Sequence, residues 1–354
     1  MRPLITALID TYNHERYIEQ AIVSVLEQGL SAEELEIVVV DDGSTDGTAE
    51  VIEKFAPRVS HVRKENGGQA SAFNAGYWES RGEIVALLDG DDWWANGKLR
   101  AVVEALEANP ELAAASHGYF EYHEKTGEKR ARGLAGKRFV NVATREAVEE
   151  ARAAWPYLLM GALTVRRKVL DWIMPIPEEM VFMADSAIQV AAIVMGAVVL
   201  EEPLFYYRHH GENLWAVDTG DREKLRRRWE MADLVYERLT AMLLARGIAR
   251  ESVTGLIDPS WVEIRRLMLK EFGGSPLRTF QTEMKAFHGD VKNPSAGYRM
   301  FKYVAAGVPM LMLPPRMFYR LRDWYARENL GRLRSRVLGA PSKLKVKGTD
   351  ASKS

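Results

Sequence analysis

The chain has 354 residues, of which 47% are hydrophobic and 27% charged, with no cysteine and a formal net charge of −1. That is the make-up of a globular protein with a sizeable core in one large domain or two. It excludes a disulfide framework and thiolate metal sites, and no uninterrupted apolar window is long enough for a membrane-spanning helix. The near-neutral total hides an asymmetry. Residues 316–347 hold ten Lys or Arg against Asp323 and Glu328, a net of +8, so the rest of the chain carries −9. A basic tail on an acidic body points to an anionic partner. The N-terminus enters a strand-like run with no signal-peptide pattern, and the lack of cysteine fits a reducing, cytoplasmic setting.

In chain order, Leu4 to Ile9 reads as a strand that ends in Asp10-Thr11-Tyr12-Asn13. His14 to Gln28 follows as a helix with Tyr17, Ala21, Ile22, Val25 and Leu26 on one face, closed by Gly29. Ile37 to Val40 is continuously apolar, as a strand covered on both faces should be. It releases Asp41-Asp42-Gly43-Ser44-Thr45-Asp46-Gly47-Thr48, turn formers in which Thr45 or Asp46 would cap a helix near 49–55. Val59 to Val62 is a third strand before Asn66-Gly67-Gly68, and Gln69 to Glu79 a helix.

The strand Ile84 to Leu88 then stops abruptly at Asp89-Gly90-Asp91-Asp92-Trp93-Trp94. Three like charges that close repel, and a divalent cation would keep them all ionised. Hard carboxylate oxygens suit Mg²⁺ or Mn²⁺ completed by waters and substrate phosphates. The alternation of strands and helices predicts a doubly wound parallel sheet, with these loops converging at the carboxyl ends of its strands.

Further on, Lys98 to Ala108 is an amphipathic helix on which Lys98 reads as solvated, and Glu111 to Tyr122 is strand-like. The stretch 124–138 is a hairpin or loop, Thr144 to Ala154 a helix and Gly161 to Val165 a strand. Asp185 opens a buried helix, and short strands at 198–200 and 204–207 lead to Arg208-His209-His210-Gly211-Glu212-Asn213. Past residue 216 the texture becomes helical, over 221–247, 259–272 and 276–287, with an apolar, basic stretch at 298–325. The domain reading is 1–215 for the α/β part, 216–330 for the helical region and 331–354 for a basic disordered tail.

Thr11-Tyr12-Asn13, Asp41 through Thr48, Asn66-Gly67-Gly68, Asn74-Ala75-Gly76 and Asp89-Gly90-Asp91-Asp92, in that order and spacing, resemble family 2 glycosyltransferases over roughly residues 3–215. The resemblance implies a GT-A fold, an inverting mechanism, a nucleotide-diphospho-sugar donor and Mn²⁺ or Mg²⁺. It further implies that Thr11, Tyr12, Asn13, Asp41 and Asp42 hold the nucleobase side and that Asn66, Gly67, Gly68 and Asn74 line or support the donor site. By the same resemblance Asp89, Gly90, Asp91 and Asp92 form the D-x-D element, with Asp91 and Asp89 on the metal. Asp185 falls at the position of the catalytic base, and Arg208 and His210 match a segment that faces the diphosphate. The sequence departs from the family pattern at Asp10, where Pro is common, at Phe73, where Arg is common, and at Ala184, where Glu is common.

The expected activity is transfer of a sugar to a hydroxyl of a glycan or lipid-linked precursor, in cell-envelope polysaccharide synthesis, by a single displacement. Two other classes compete. A nucleotidyltransferase would need a Gly-rich phosphate loop after the first strand, which Asp10-Thr11-Tyr12-Asn13-His14 does not supply. A non-catalytic nucleotide-sugar-binding scaffold is favoured by Phe73 and Ala184 and opposed by the intact acids. Individual residues also have plain structural readings. Tyr12 could pack the sheet edge, Asp41 and Asp42 could simply form turns, and Asp46, Gly47 and Thr48 are assigned to capping alone. Trp93 and Trp94 read as rim or core aromatics, and Met310-Leu311-Met312 as packing. The basic end is either a solvated tail or, with 300–325, a peripheral membrane-surface element on the inner face of the cell membrane. No nucleic-acid module is present.

Overall fold

The computed structural model describes residues 4–211, 213, 222–290 and 310–327. The start of the expected helical region at 216–221, the stretch 298–309 and the tail 331–354 lie outside the described residues.

Ten strands form one mixed sheet in the order β3-β2-β1-β4-β9-β6-β10-β5, with β7 added to β6 and β8 to β10. The first half is parallel: β1 (Ile5–Thr11) lies between β2 (Leu35–Asp41) and β4 (Ile84–Asp89), and β3 (Ser60–Arg63) flanks β2. In the second half β6 (Ala114–His123) and β10 (Ala197–His209) are parallel to each other. β5 (Trp93–Trp94), β7 (Glu128–Arg132), β8 (Arg138–Val140) and β9 (Thr164–Arg166) pair antiparallel to their neighbours.

The continuous apolar strands are buried on both faces, and their side chains alternate between two cores. Leu8, Val38, Val40, Val85 and Leu87 enter one core, with Phe73 of α3 (Gln69–Glu79) and with α7 (Asp185–Val194). Ala7, Ile9, Ile37, Val39, Ala86 and Leu88 enter the other, under α1 (Ile18–Leu26) and α4 (Lys98–Glu107). Phe73 is thus a core residue. The remaining helices of this half are α2 (Thr48–Glu53), α5 (Arg145–Ala154) and α6 (Arg167–Ile173).

Contacts divide the chain into two compact units, Met1–Asp258 and Pro259–Ser354. The first runs past residue 215, because α8 (Arg222–Ala245) and the start of α9 (Arg250–Phe272) lay Val235, Leu239, Leu243, Val253 and Leu256 into the first core. In the second unit Leu269, Met310, Phe318 and Tyr319 form a small core, with α10 (Pro276–Asp290) and α11 (Pro315–Arg327). Its Glu283 is buried and accepts both Nε and Nη2 of Arg266 at 2.8 Å and Nη1 of Arg322 at 3.0 Å. No described helix is long and apolar enough to cross a membrane.

Two local expectations are corrected. Lys98 is not solvated: it is fully buried, its Nζ donating to Thr164 Oγ1 at 2.8 Å and lying 3.9 Å from the Trp94 ring centroid. Its long stem lets the ammonium reach partners that a surface helix position does not normally offer. The two short strands expected at 198–200 and 204–207 are one strand, β10, whose irregular register around Pro203 separates them.

Candidate functional site

The ends of β1 and β4 lie side by side, and Asp10 is in register with Asp89. Gly90 donates its N–H to the Asp10 carbonyl at 2.9 Å, and a Cβ on Gly90 would come within 2.5 Å of Thr11 Oγ1, so glycine alone fits this turn. The Asp92 N–H closes the turn on the Asp89 carbonyl at 3.1 Å. Asp89, Asp91 and Asp92 therefore crowd one tight turn with Asp10 beside it.

Two residues at the end of β10 hold that turn. Arg208 is buried, donates from its backbone N–H to Asp92 Oδ1 at 2.8 Å and from Nε to the Asp91 carbonyl at 2.7 Å, and reaches Gln20 Oε1 at 2.6 Å. Its guanidinium lies 4.4 Å from the Trp93 centroid and 4.8 Å from that of Tyr17. His210 Nε2 sits 2.9 Å from Asp91 Oδ2, its ring tilted over Tyr17, and Asn213 Nδ2 approaches the same oxygen at 3.4 Å. In this structure Arg208 and His210 thus engage the acidic turn.

The field of the acids is only partly compensated. Burial raises the Asp10 carboxyl to about 8, with Asp91 and Asp185 adding to the rise. Asp89 is pushed well up by burial and by Asp10, Asp92, Asp91 and Asp185. Asp92 is pushed well up by burial and by Asp91. Asp91 is the exception: burial works against its charge, but the His210 bond and the nearby His14 outweigh it and its carboxyl falls below the ordinary range. Asp10 Oδ1 and Asp92 Oδ2 are buried with no hydrogen-bond partner. Desolvated, unpartnered carboxylate oxygens in a shared negative field fit a divalent cation. No group of three Asp, Glu, His or Cys among the described residues forms a ready ligand cage. The fit is therefore to a cation held by one or two of these carboxylates with substrate oxygens completing its shell.

The loops after β2 and β3 are tied together by Asp42. Its Oδ1 accepts Lys64 Nζ at 2.7 Å and the Gly67 N–H at 3.1 Å, and its Oδ2 accepts the Gly68 N–H at 2.7 Å, so Asn66-Gly67-Gly68 hangs from it. Asp41 is fully buried, with Oδ1 on the Ser44 N–H at 2.8 Å. Asn13, at φ 56°, donates its N–H to Ser44 Oγ and accepts the Thr45 N–H on Oδ1. Asp46 accepts the Thr48 N–H at 3.0 Å. Thr11 is buried against His14 at 3.1 Å, whereas Tyr12 is 43% exposed. Asn66 is exposed beside the loop it begins.

Asp185 is brought to this loop by two hydrogen bonds across the sequence. The Gln69 N–H donates to the Val181 carbonyl at 2.9 Å, and Gln69 Oε1 accepts the Ala184 N–H at 2.8 Å. Gly68, at φ +83°, packs so tightly on this segment that a Cβ would meet the Val181 Cα at 2.6 Å. Asn74 makes two 2.8 Å bonds with the backbone of Ile176 and so holds the same segment from below. Asp185 itself, the first residue of α7, is largely out of water, which raises its carboxyl to about 6 against the opposing backbone N–H groups and Gln189. Its Oδ2 accepts Gln189 Nε2 at 2.7 Å. Since Asp10 and Asp89 both feel the charges of Asp91 and Asp185, the acidic turn and Asp185 share one electrostatic neighbourhood.

The arrangement offers an exposed aromatic, a glycine loop with the Asp185 carboxylate of raised basicity packed beside it, and a carboxylate-rich turn. Sequence reasoning treated Asp10 only as a departure and did not single out Gln69, Gln189 or Asn213. Asp10 could have been found, because Ile9-Asp10 repeats the apolar-run-to-acid step of Leu88-Asp89. Gln69 acts through the backbone of Ala184, 115 positions away, and leaves no local signature, whereas Gln189 stands one helical turn after Asp185 and could have been found from that spacing.

Residues 6–171 match glycosyl transferase family 2. An uncharacterized glycosyltransferase of Nostoc sp. is 35% identical over 216 residues, 59% of this chain, and the chain spans 66% of that relative's length. Among solved structures, TarS of S. aureus in complex with UDP-GlcNAc superposes with a TM-score of 0.57 at 17% identity, over 82% of this chain and 89% of TarS. A mannosyltransferase from Pyrobaculum calidifontis in complex with GDP-Man and Mn²⁺ superposes with a TM-score of 0.50 at 20% identity, over 93% of this chain and 89% of that one. At those identities the likeness is one of fold, a GT-A-like α/β sheet followed by helices.

Proposed function

Because this chain belongs to the family 2 glycosyltransferases through its domain at residues 6–171, we propose that it moves a sugar from a nucleotide-diphospho-sugar donor to a hydroxyl of a glycan or lipid-linked acceptor, with inversion. The observation that carries the reading is the packing of the Asp185 segment on the glycine loop through Gln69 and Gly68, beside the strand ends where Asp10 and Asp89 stand in register. A donor lying along the carboxyl ends of β1, β2 and β4 would put its base on Tyr12 and its diphosphate at the turn.

Asp185 would take the proton of the acceptor hydroxyl. A carboxylate whose basicity is raised by desolvation to about 6 is still ionised at neutral pH and accepts a proton better than an ordinary aspartate. Only one such base is needed for a single displacement, since the leaving group is a nucleoside diphosphate whose oxygens already carry charge. Asp91, kept ionised by His210, and Asp89 would hold Mn²⁺ or Mg²⁺, which when bound stabilises charge on the diphosphate. Arg208 would keep Asp91 and Asp92 in register during turnover. The Mn²⁺ recorded with GDP-Man in the Pyrobaculum mannosyltransferase supports that choice of ion.

The test is release of nucleoside diphosphate from a panel of UDP- and GDP-sugars with and without Mn²⁺. Activity that falls about a hundredfold or more in Asp91→Asn and in Asp185→Asn supports the assignment. An Asp185→Asn enzyme within a few-fold of wild type removes Asp185 as the base, and binding of donor with no turnover on any acceptor favours the scaffold reading.

For the second unit we propose contact with an anionic membrane surface. Leu311, Met312, Met317 and Leu321 are exposed beside exposed Arg316 and Arg320 on and before α11. Apolar side chains next to cations at this density suit an interface, each cation contributing about 1 kcal/mol near anionic lipid. Flotation with anionic vesicles should be lost in Met317→Glu/Leu321→Glu, and equal flotation of that variant and the wild type rules the surface out.

A further inference from the structure

A second cavity opens on the far side of the acidic turn. It has a volume of about 340 Å³ and is lined by His123, Lys125, Thr126, Glu128, His209 and the loop residues Gly211 and Asn213. β6 and β10 are parallel and in register at His123 and His209, so both imidazoles arrive at the carboxyl edge of the sheet, stacked 4.5 Å apart at 11°. The β6–β7 turn adds Lys125, whose Nζ lies about 4 Å from where a Gly211 Cβ would stand. No hydrogen bond or ion pair engages Lys125 among the described residues. Among the described residues the one carboxylate of the lining, Glu128, accepts Arg130 Nη2 at 3.1 Å, which leaves Lys125 as the cation without a paired acid there. His209 Nε2 is buried and unpartnered.

Asn213 forms the wall between this cavity and the turn. It is buried, accepts the His210 N–H at 3.0 Å and donates to the Arg208 carbonyl at 2.7 Å, with Asp91 Oδ2 at 3.4 Å behind it. An occupant of the cavity would therefore lie one side chain away from the carboxylate assigned to the diphosphate. In the sheet order the cavity sits at β6 and β10, while the loops assigned to the donor hang from β1, β2 and β3 on the opposite side of β4. That leaves the cavity for the other substrate. We propose that it is an acceptor subsite, taking an anionic group of the acceptor, a phosphate or a carboxylate, on Lys125, His123 and His209. The assignment rests on the glycosyl-transfer reading above. The ligand chemistry follows from a free ammonium and two imidazoles with no unpaired acid facing them among the described residues, and the volume is within the range of small-ligand sites.

The test uses the full chain and calorimetric binding of four probes: sn-glycerol 3-phosphate, glucuronate, neutral glycerol, and UDP or GDP with Mn²⁺. One of the two anions should bind and glycerol should not, which also tells phosphate from carboxylate. Lys125→Ala should weaken that anion about tenfold, the loss of one charge-assisted contact, with His209→Gln also weakening it and nucleoside diphosphate affinity within twofold in both variants. Anion and nucleoside diphosphate should bind together. Displacement of the anion by the nucleoside diphosphate would make the cavity part of the donor site and overturn the proposal, as would equal anion binding in Lys125→Ala or no anion binding at all. If wild-type protein binds neither UDP nor GDP, the glycosyl-transfer reading itself fails and the acceptor assignment falls with it, whatever the anions do.

Discussion

Gln189 offers a direct handle on the proposed base. It sits one helical turn after Asp185, is buried, and donates Nε2 to Asp185 Oδ2 at 2.7 Å. That bond favours the charged carboxylate, so it holds down a pKa that burial has already raised to about 6. Replacing Gln189 with Leu keeps the bulk and removes the donor. A hydrogen bond to a charged group is worth about 1.5–3 kcal/mol, and at about 1.4 kcal/mol per pKa unit the carboxyl should rise by about one to two units. Initial rates of nucleoside diphosphate release at saturating donor, from pH 5 to 9, read this out. Wild type should lose activity as pH falls through about 6, and Gln189→Leu should lose it one to two units higher while reaching a similar plateau in alkali. An acid limb that stays in place, or a lowered plateau with no shift, refutes the assignment. Asp185→Asn adds a stability check. A folded-state pKa of about 6, above the ordinary aspartate value of 3.8, means that ionisation opposes folding, with the penalty growing as pH rises from 3.8 to about 6. The variant should therefore be more stable than wild type above that window, by at most about 3 kcal/mol, and equal to it below.

Asp10→Asn tests the same field elsewhere. With the Asp10 carboxyl at about 8 when folded, wild-type stability should fall as pH rises from the ordinary carboxyl range to 8. The melting-temperature advantage of the variant should then widen between pH 5 and pH 8.5, and a constant gap would contradict this. Gly68→Ala places a Cβ 2.6 Å from the Val181 Cα at a left-handed φ of +83°. We expect about 1–3 kcal/mol of destabilisation, read by denaturant melts, with donor turnover reduced; a neutral result would mean the loop is not packed on the Asp185 segment. Lys98→Met replaces a buried ammonium whose pKa burial has pushed well down with an apolar chain of similar length. Stability should stay within about 1 kcal/mol or rise, and a loss above about 3 kcal/mol would show that the Thr164 and Trp94 contacts matter more than the burial.

The strands that carry the site were legible because their physics is local. Ile37 to Val40 and Ile84 to Leu88 are continuously apolar because both faces are covered, and each ends where water and polar loops begin. The bounds of α3, Gln69 to Glu79, follow from the glycines before it and the Arg81-Gly82 break after it. Where the reading failed, a distant partner decided. The first helix starts at Ile18 rather than His14, because the His14 N–H is taken by Thr48 Oγ1 at 2.8 Å. Lys98 can be buried because Thr164 Oγ1, 66 positions away, accepts a hydrogen bond from its Nζ. Asp42, expected on the nucleobase side, also holds Lys64 and the Gly67 and Gly68 N–H groups, 22 to 26 positions away. No window of sequence around any of these residues contains the atom that fixes it.

The acids of the site divide by what the fold provides for them. Asp91 has His210 and Asn213, and Asp92 has the Arg208 N–H on one oxygen only. Asp10 Oδ1 and Asp92 Oδ2 have nothing. A fold selected for stability alone would replace such groups with apolar ones, since an unpartnered buried carboxyl costs more than it contributes. Their retention around a turn where glycine alone fits argues that the missing partner arrives from outside. A cation with a diphosphate would supply both the charge and the oxygens. Its arrival would favour the ionised forms of Asp10 and Asp89, so donor binding should release protons. The same deficit that lowers the stability of the empty site then becomes affinity for the charged ligand, and this explains why the acids cluster at the strand ends rather than in the core.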